Sequence, residues 1–246
     1  MKKNEDSLHY GDIFVEDPYV RRRFAIYRDM ISGILSERSV VLDVGGYMGD
    51  MLRLLENCGQ KPASYYVADS DVEALKIAEQ RGAIPVFFDF NKGDMLSVLP
   101  DVKFDVILCT EVLEHLLDPE RHLKAIAKLL SSEGVCVVSL PNENSIYHRM
   151  MSLAGFGVDQ CAFEVHKHLH LPTISQSRRL VGSHLHIIDE RYYINPSLRG
   201  SRGGAMGRLL TLFPDAFWDF LAGTMPGLFA RGVVFKTQTA PQPPRI

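Results

Sequence analysis

Glu111, Glu114 and His115 stand at i, i+3 and i+4 in the stretch FDVILCTEVLEHLLDP. On a helix that spacing puts all three side chains on one face, where two carboxylates and an imidazole could move a proton or hold a cation. Farther along, VHKHLHL carries His166, His168 and His170 at period two. In an extended segment these rings point to one side, and two histidines with a carboxylate suit a divalent ion. A third set is acidic: Asp43, Asp69 and Asp89 each close a short apolar run. Acids at successive strand ends are placed to accept hydrogen bonds from a nucleoside. Each set also has a plainer reading. Glu111 would stabilise a helix N-terminus, His115 would be polar helix surface, and Ser70 with Asp71 would cap the helix that follows Asp69.

The elements that must position these groups follow from the apolar pattern. VVLDV at 40–44 reads as a strand buried on both faces, and Gly45, Gly46 and Gly49 turn the chain into an amphipathic helix with Met51, Leu52, Leu54 and Leu55. The first N–H groups of that helix face whatever lies over the strand end. A helix over 19–35 precedes this unit. Strands are expected at 64–68, 84–88, 104–109 and 134–140, alternating with helices at 72–81, 111–117 and 120–130. That rhythm implies a parallel sheet with right-handed crossovers. After Pro141 it loosens: 142–163 is irregular or helical, 172–182 is a helix, and 185–194 and 232–239 are two further strands. Between those strands runs 200–231, rich in Leu, Phe, Gly and Pro.

Glycine spacing separates two kinds of ligand. A dinucleotide site calls for G-x-G-x-x-G, whereas Gly45-Gly46-Tyr47-Met48-Gly49 breaks that spacing and Asp43 would repel a pyrophosphate. A carboxylate there would attract the ammonium of an amino acid instead. DVGGYMG resembles the D-x-G-x-G-x-G motif of the S-adenosylmethionine-dependent methyltransferases with a Rossmann-like fold. Tyr47 stands where that motif has its middle glycine, so its backbone must take a negative φ or a strained positive one. EVLEH after the fourth strand, LPNENS after the fifth, HLHLPT, and the late strand GVVFKTQT are similar to the same family, and the likeness covers roughly 40–194 and 231–239.

What this resemblance implies is specific for the cofactor. The fold would be α/β, a Rossmann-like seven-stranded mostly parallel sheet with an antiparallel last strand, helices on both faces and helical insertions after strands 5 and 6. S-adenosylmethionine would meet Asp43, Gly45, Gly46, Tyr47 and Gly49, with Asp69 and Ser70 toward the ribose, Asp89 and Phe90 toward the adenine, and Cys109 and Glu111 alongside. His115, His168 and Glu111 would be the catalytic groups. A metal is not favoured; if present, Glu111, Glu114, His115 and His168 would hold it. The expected activity is methylation of a small-molecule acceptor, at oxygen, in a biosynthetic pathway of the ubiquinone or glycan type. A terminal RNA 2′-O-methyltransferase shares the E-x-x-E-H pattern, and a non-catalytic cofactor-binding module would tolerate Tyr47.

Composition narrows these classes. The 246 residues are 46% apolar and 23% charged, enough for a substantial core. A formal charge of −3, with no basic run longer than Arg21–Arg23, gives no footprint for nucleic acid. Cys58, Cys109, Cys136 and Cys161 lack C-x-x-C spacing, and Cys109 and Cys136, in apolar runs, read as reduced core residues of a cytoplasmic protein. The N-terminal segment lacks the apolar stretch of a secretory signal, no 18-residue apolar span occurs, and 240–246 reads as a frayed tail. The expected organisation is one domain over 1–246: an N-terminal helical segment at 1–36, a cofactor-binding core at 37–141, an acceptor or lid region with strand 6 at 142–231, and the last strand at 232–239. The apolar groups of 205–230 could pack on the sheet, cover an acceptor, or touch a membrane surface.

Overall fold

The computed structural model describes residues 18–155, 168–194 and 213–239. His166, Cys161, the tail at 240–246 and the first part of the 200–231 connection lie outside the described residues. Seven strands, β1 (Val40–Val44), β2 (Ser64–Asp69), β3 (Ile84–Phe87), β4 (Phe104–Thr110), β5 (Leu130–Pro141), β6 (His186–Tyr193) and β7 (Gly232–Gln238), form one sheet in the order β3-β2-β1-β4-β5-β7-β6. β1 pairs in parallel with β2 and β4, β2 with β3, and β4 with β5. β7 runs antiparallel between β5 and β6. This is the expected Rossmann-like sheet, and the strand order reverses between β1 and β4, where open α/β sheets bind ligands.

The central strands alternate sides residue by residue, as a pleated strand must. Leu42, Val44, Ile107, Cys109, Cys136 and Val138 fill one core, and Val41, Val67, Val106, Leu108, Val135 and Val137 fill the other. The first core is closed by α4 (Pro119–Leu129) and α6 (Ile174–Gly182) through Leu123, Ile126, Ile174 and Val181. The second is closed by α1 (Pro18–Ile31), α2 (Asp50–Asn57) and α3 (Val72–Gln80) through Tyr27, Met30, Leu52, Leu55, Leu75 and Ala78. Local capping sets the helix starts: Asp71 accepts from Glu73 and Ala74 to open α3, and Thr173 with Gln176 forms a capping box on α6. Two further helices, α5 (Ile146–Leu153) and α7 (Asp215–Thr224), lie beyond the β5 end and beside β6, and α8 (Pro226–Phe229) leads into β7.

One expected element is absent. The chain over 111–117 is not a helix; it makes only a single 3-10 turn at Leu113–His115. Glu111 has φ 57, a left-handed conformation that an α-helix cannot incorporate. Glu111 and His115 therefore do not share a helix face. The described part of the late connection is helical and does not extend the sheet: Ala222 of α7 packs with Ile194 and Ala230, and Trp218 and Phe229 close over them.

Candidate active site

The β1–α2 turn is shaped by a carboxylate tucked beneath it. Asp43 is 4% exposed, and its Oδ2 accepts from the Tyr65 hydroxyl at 2.7 Å. A Cβ on Gly46 would stand 2.6–2.7 Å from the Asp43 carboxylate, so only glycine lets the acid lie under the turn. Gly45 has φ 69, and a Cβ there would come within 2.4 Å of Val112. Burial pushes the Asp43 carboxyl up to about 7, against the Tyr65 hydrogen bond and helped by the charges of Asp69 and Asp50. Gly49, φ 73, caps α2 in the left-handed region.

Tyr47 takes the strained alternative, with φ 49. Its N–H donates to Asp69 Oδ2 at 2.9 Å, while Asp71 donates to Oδ1 at 2.9 Å. Asp69 is thus held at the end of β2, joined to the glycine turn; burial raises its carboxyl and these N–H groups oppose the rise. Asp71 alone caps the helix, and Ser70 is exposed. Asp89, just past β3, pairs with Lys92 at 3.0 Å, and that hydrogen bond holds its carboxyl below the usual range. Phe90 is 8% exposed and packs edge-on against Phe88 at 5.1 Å. The Cys109 thiol is buried in β4.

A cavity of about 460 Å³ opens over the β1 and β4 ends, walled by Asp43, Gly45, Gly46, Tyr47, Asp50, Thr110 and Glu111 on one side and by Arg23, Phe24 and Tyr27 of α1 on the other. Gly49, Asp69, Ser70, Asp89, Phe90 and Cys109 are not among its walls. Glu111 is the best-anchored group there. Arg23 pairs with it at 2.6 Å, and Ser139 and Tyr193 donate to its Oε1 at 2.7 and 2.9 Å. The Glu111 N–H returns to Ser139 Oγ at 3.0 Å, which also meets the Tyr27 hydroxyl at 2.9 Å. These bonds, from α1, β5 and β6, hold the strained residue in place. Acids flanked by one guanidinium, under a turn with little side chain, suit an amino acid that carries an additional positive charge. S-adenosylmethionine fits that description.

Glu114 lies elsewhere. Its side chain is fully buried, and both carboxylate oxygens lack a hydrogen-bond partner. Burial, and next the charge of Glu111, raises its carboxyl far above the usual range. Ligand atoms of Glu114, His115 and His168 all lie within 4.8 Å of one another, and the two rings meet edge to face with centroids 4.8 Å apart. Glu111 is not part of this group, which corrects the four-residue set. The loop carrying His168 is pinned where Leu169 and His170 donate backbone N–H groups to the Glu114 carbonyl at 2.8 and 3.0 Å. His168 and His170 do not act together: His168 Nδ1 faces Glu143 at 3.2 Å, and the His170 ring donates to the Leu116 carbonyl at 2.8 Å. Sequence reasoning missed Arg23, Ser139, Tyr193 and Glu143. Of these, Glu143 lies within the LPNENS stretch and Ser139 immediately precedes it.

Comparison with known proteins bears on this site. A family model described as a methyltransferase domain matches residues 19–184. The ubiquinone biosynthesis O-methyltransferase of Bartonella quintana (strain Toulouse) is 29% identical over 126 residues, 50% of this chain and 51% of that protein. The protein of the same name from Psychrobacter arcticus is 50% identical over 106 residues, 42% of this chain and 41% of its own. The chain spans about half the length, or less, of the curated relatives it matches. The fold is shared with the N-methyltransferase NodS of Bradyrhizobium japonicum WM9, solved with S-adenosyl-L-homocysteine, at TM-score 0.54, 14% identity, and coverage of 91% of this chain and 89% of that one. A possible histamine N-methyltransferase from Thermotoga maritima gives TM-score 0.56 at 14% identity, covering 95% and 96%.

Proposed function

Because the chain belongs to the S-adenosylmethionine-dependent methyltransferases, we propose that it transfers the methyl group to a hydroxyl of a small-molecule acceptor. The observation that carries the choice of oxygen is the Glu114–His115–His168 group. A neutral amine needs no base to attack a methyl group, whereas a hydroxyl must lose its proton to become a good nucleophile. The names of the curated O-methyltransferase relatives support the same reading.

The bound cofactor supplies a methyl group on a positively charged sulfur. Asp43 and the Gly45–Tyr47 turn would hold its amino-acid end, with Arg23 across the cavity, and Asp69, Asp89 and Phe90 would serve its nucleoside. Glu111, fixed by Arg23, Ser139 and Tyr193, lines this cavity. His168 would take the acceptor hydroxyl's proton, freeing its oxygen to receive the methyl group that the cofactor would supply. His115 packs across the His168 ring and steadies it. The described parts of 142–231 would form the acceptor side, and the exposed Phe213, Phe217 and Phe220 at α7 give it an apolar face suited to an apolar acceptor or a membrane surface. No described helix is long and apolar enough to cross a membrane.

A second reading rests on the orphaned Glu114 carboxylate. A divalent ion held by Glu114, His115 and His168 would give the buried carboxylate a partner and activate the hydroxyl in place of a base. Glu114 would then have to release the proton that burial otherwise keeps on it. The test is transfer from methyl-labelled cofactor to a panel of soluble phenols, sugars and amines, with and without a chelator. Label on oxygen that survives chelation supports the base, loss restored by added metal supports the ion, and label on amines alone rules out both.

A further inference from the structure

Glu143 follows β5, in the LPNENS stretch, and its side chain is 8% exposed. Its two oxygens serve different partners. Oε1 is 3.2 Å from His168 Nδ1, and Oε2 is 3.3 Å from an Arg231 nitrogen and 3.1 Å from His148 Nε2. Arg231 also donates to His148 Nε2 at 2.7 Å, so that nitrogen carries a lone pair, and Nδ1 carries the proton facing Ser145 at 3.1 Å. Burial and the Arg231 charge hold His148 below its ordinary range, which keeps it neutral. Arg231 is therefore the cation that balances Glu143. Burial raises the Glu143 carboxyl, but the His168 hydrogen bond and then the Arg231 charge outweigh it and hold the group below the usual range. The Arg231 backbone is fixed as well, donating to the Tyr193 carbonyl at 2.8 Å and accepting from Asn142 at 2.7 Å.

We propose that Glu143 is the positioning residue for His168: its Oε1 accepts from Nδ1–H, fixes that tautomer and leaves the Nε2 lone pair for the acceptor hydroxyl. An ionised carboxylate can only accept, so it selects the ring nitrogen that bears hydrogen. The same arrangement, a carboxylate behind a histidine, sets ring orientation and tautomer where histidines act as ligands. The inference rests on the reading of His168 as proton acceptor, and it explains a buried charge that packing alone would disfavour. Glu143 is not among the residues that line the cavity; it acts through the histidine.

The direct test is nitrogen NMR of protein labelled with ¹⁵N-histidine and saturated with S-adenosylhomocysteine at pH 8, with His168 assigned from H168Q. The expected spectrum shows hydrogen on Nδ1 and a bare Nε2. Glu143→Gln should let the ring populate both tautomers. It should also lower kcat for transfer to a soluble phenol about 10–100-fold, with cofactor KM changed less than twofold. Wild-type His168 with its hydrogen on Nε2 overturns the proposal whether or not the variant folds. So does a folded Glu143→Gln protein with unchanged tautomer and kcat, even where His168→Ala is inactive. Full activity of His168→Ala removes the base reading itself, a separate failure.

Discussion

Asp43→Asn separates what the buried acid costs the fold from what it gives the site. The wild-type carboxyl moves from 3.8 to about 7 on folding, driven first by burial. Roughly three units at 1.36 kcal/mol each make the ionised group about 4 kcal/mol unfavourable in the free protein. The folded chain binds this proton more tightly than the unfolded chain, so stability falls as pH rises from about 4 to about 7 and is level above that. Of the total, roughly 2–3 kcal/mol develops between pH 5 and pH 8. Asparagine keeps the shape and still accepts from Tyr65, but it has no charge to desolvate. Its NH₂ adds a pH-independent penalty of about 1–3 kcal/mol if unpaired, so the quantity to read is the change in the variant-minus-wild-type difference with pH. Urea unfolding of the cofactor-free proteins at pH 5 and pH 8 should show that difference growing by about 2–3 kcal/mol in favour of the variant. Calorimetry at pH 8 should show S-adenosylmethionine binding at least tenfold weaker. The same stability difference at both pH values would refute a buried, charge-strained Asp43.

Removal of the Asp69 carboxylate by Asp69→Ala should weaken cofactor binding by about 1.5–3 kcal/mol through lost charge-assisted hydrogen bonds, read by calorimetry; equal affinity would show that the acid serves only Tyr47 and Asp71. Tyr47→Gly should leave stability within about 1 kcal/mol, because relief of the positive φ offsets added chain entropy. Tyr47→Val should cost about 1–2 kcal/mol more, and coincident thermal melts would contradict the strain. A Phe217→Ser, Phe220→Ser double variant should lose association with anionic liposomes in flotation without losing cofactor affinity. Flotation identical to wild type would leave the apolar face to the acceptor.

The sheet was legible because its signals are local. An apolar run closed by glycines marks β1 and its turn, and alternation of strands with amphipathic segments marks the parallel order. Asp71 as a cap was equally readable, since its partners lie two and three residues away. The helix expected over 111–117 failed because a non-glycine residue takes φ 57, and no local feature announces it. That conformation is imposed from outside, by Arg23, Ser139 and Tyr193. Period two likewise failed for His168 and His170, because each ring is claimed by a different carbonyl or carboxylate. The Glu143–Arg231 pair spans 88 positions and joins the segment just after β5 to the residue just before β7. Such a pair exists only once the antiparallel strand has closed beside β5, so spacing along the chain could not reveal it.

The decisive measurement is a chase of methyl-¹³C label from S-adenosylmethionine into soluble phenols, in wild type and His168→Ala, with cofactor affinity measured in parallel. The site described here predicts a ¹³C-methoxy product from the wild type, turnover about 10²–10⁴-fold lower in the variant, and equal cofactor affinity in both. Methoxy product at the same rate from His168→Ala, or label found only on amines, would contradict it.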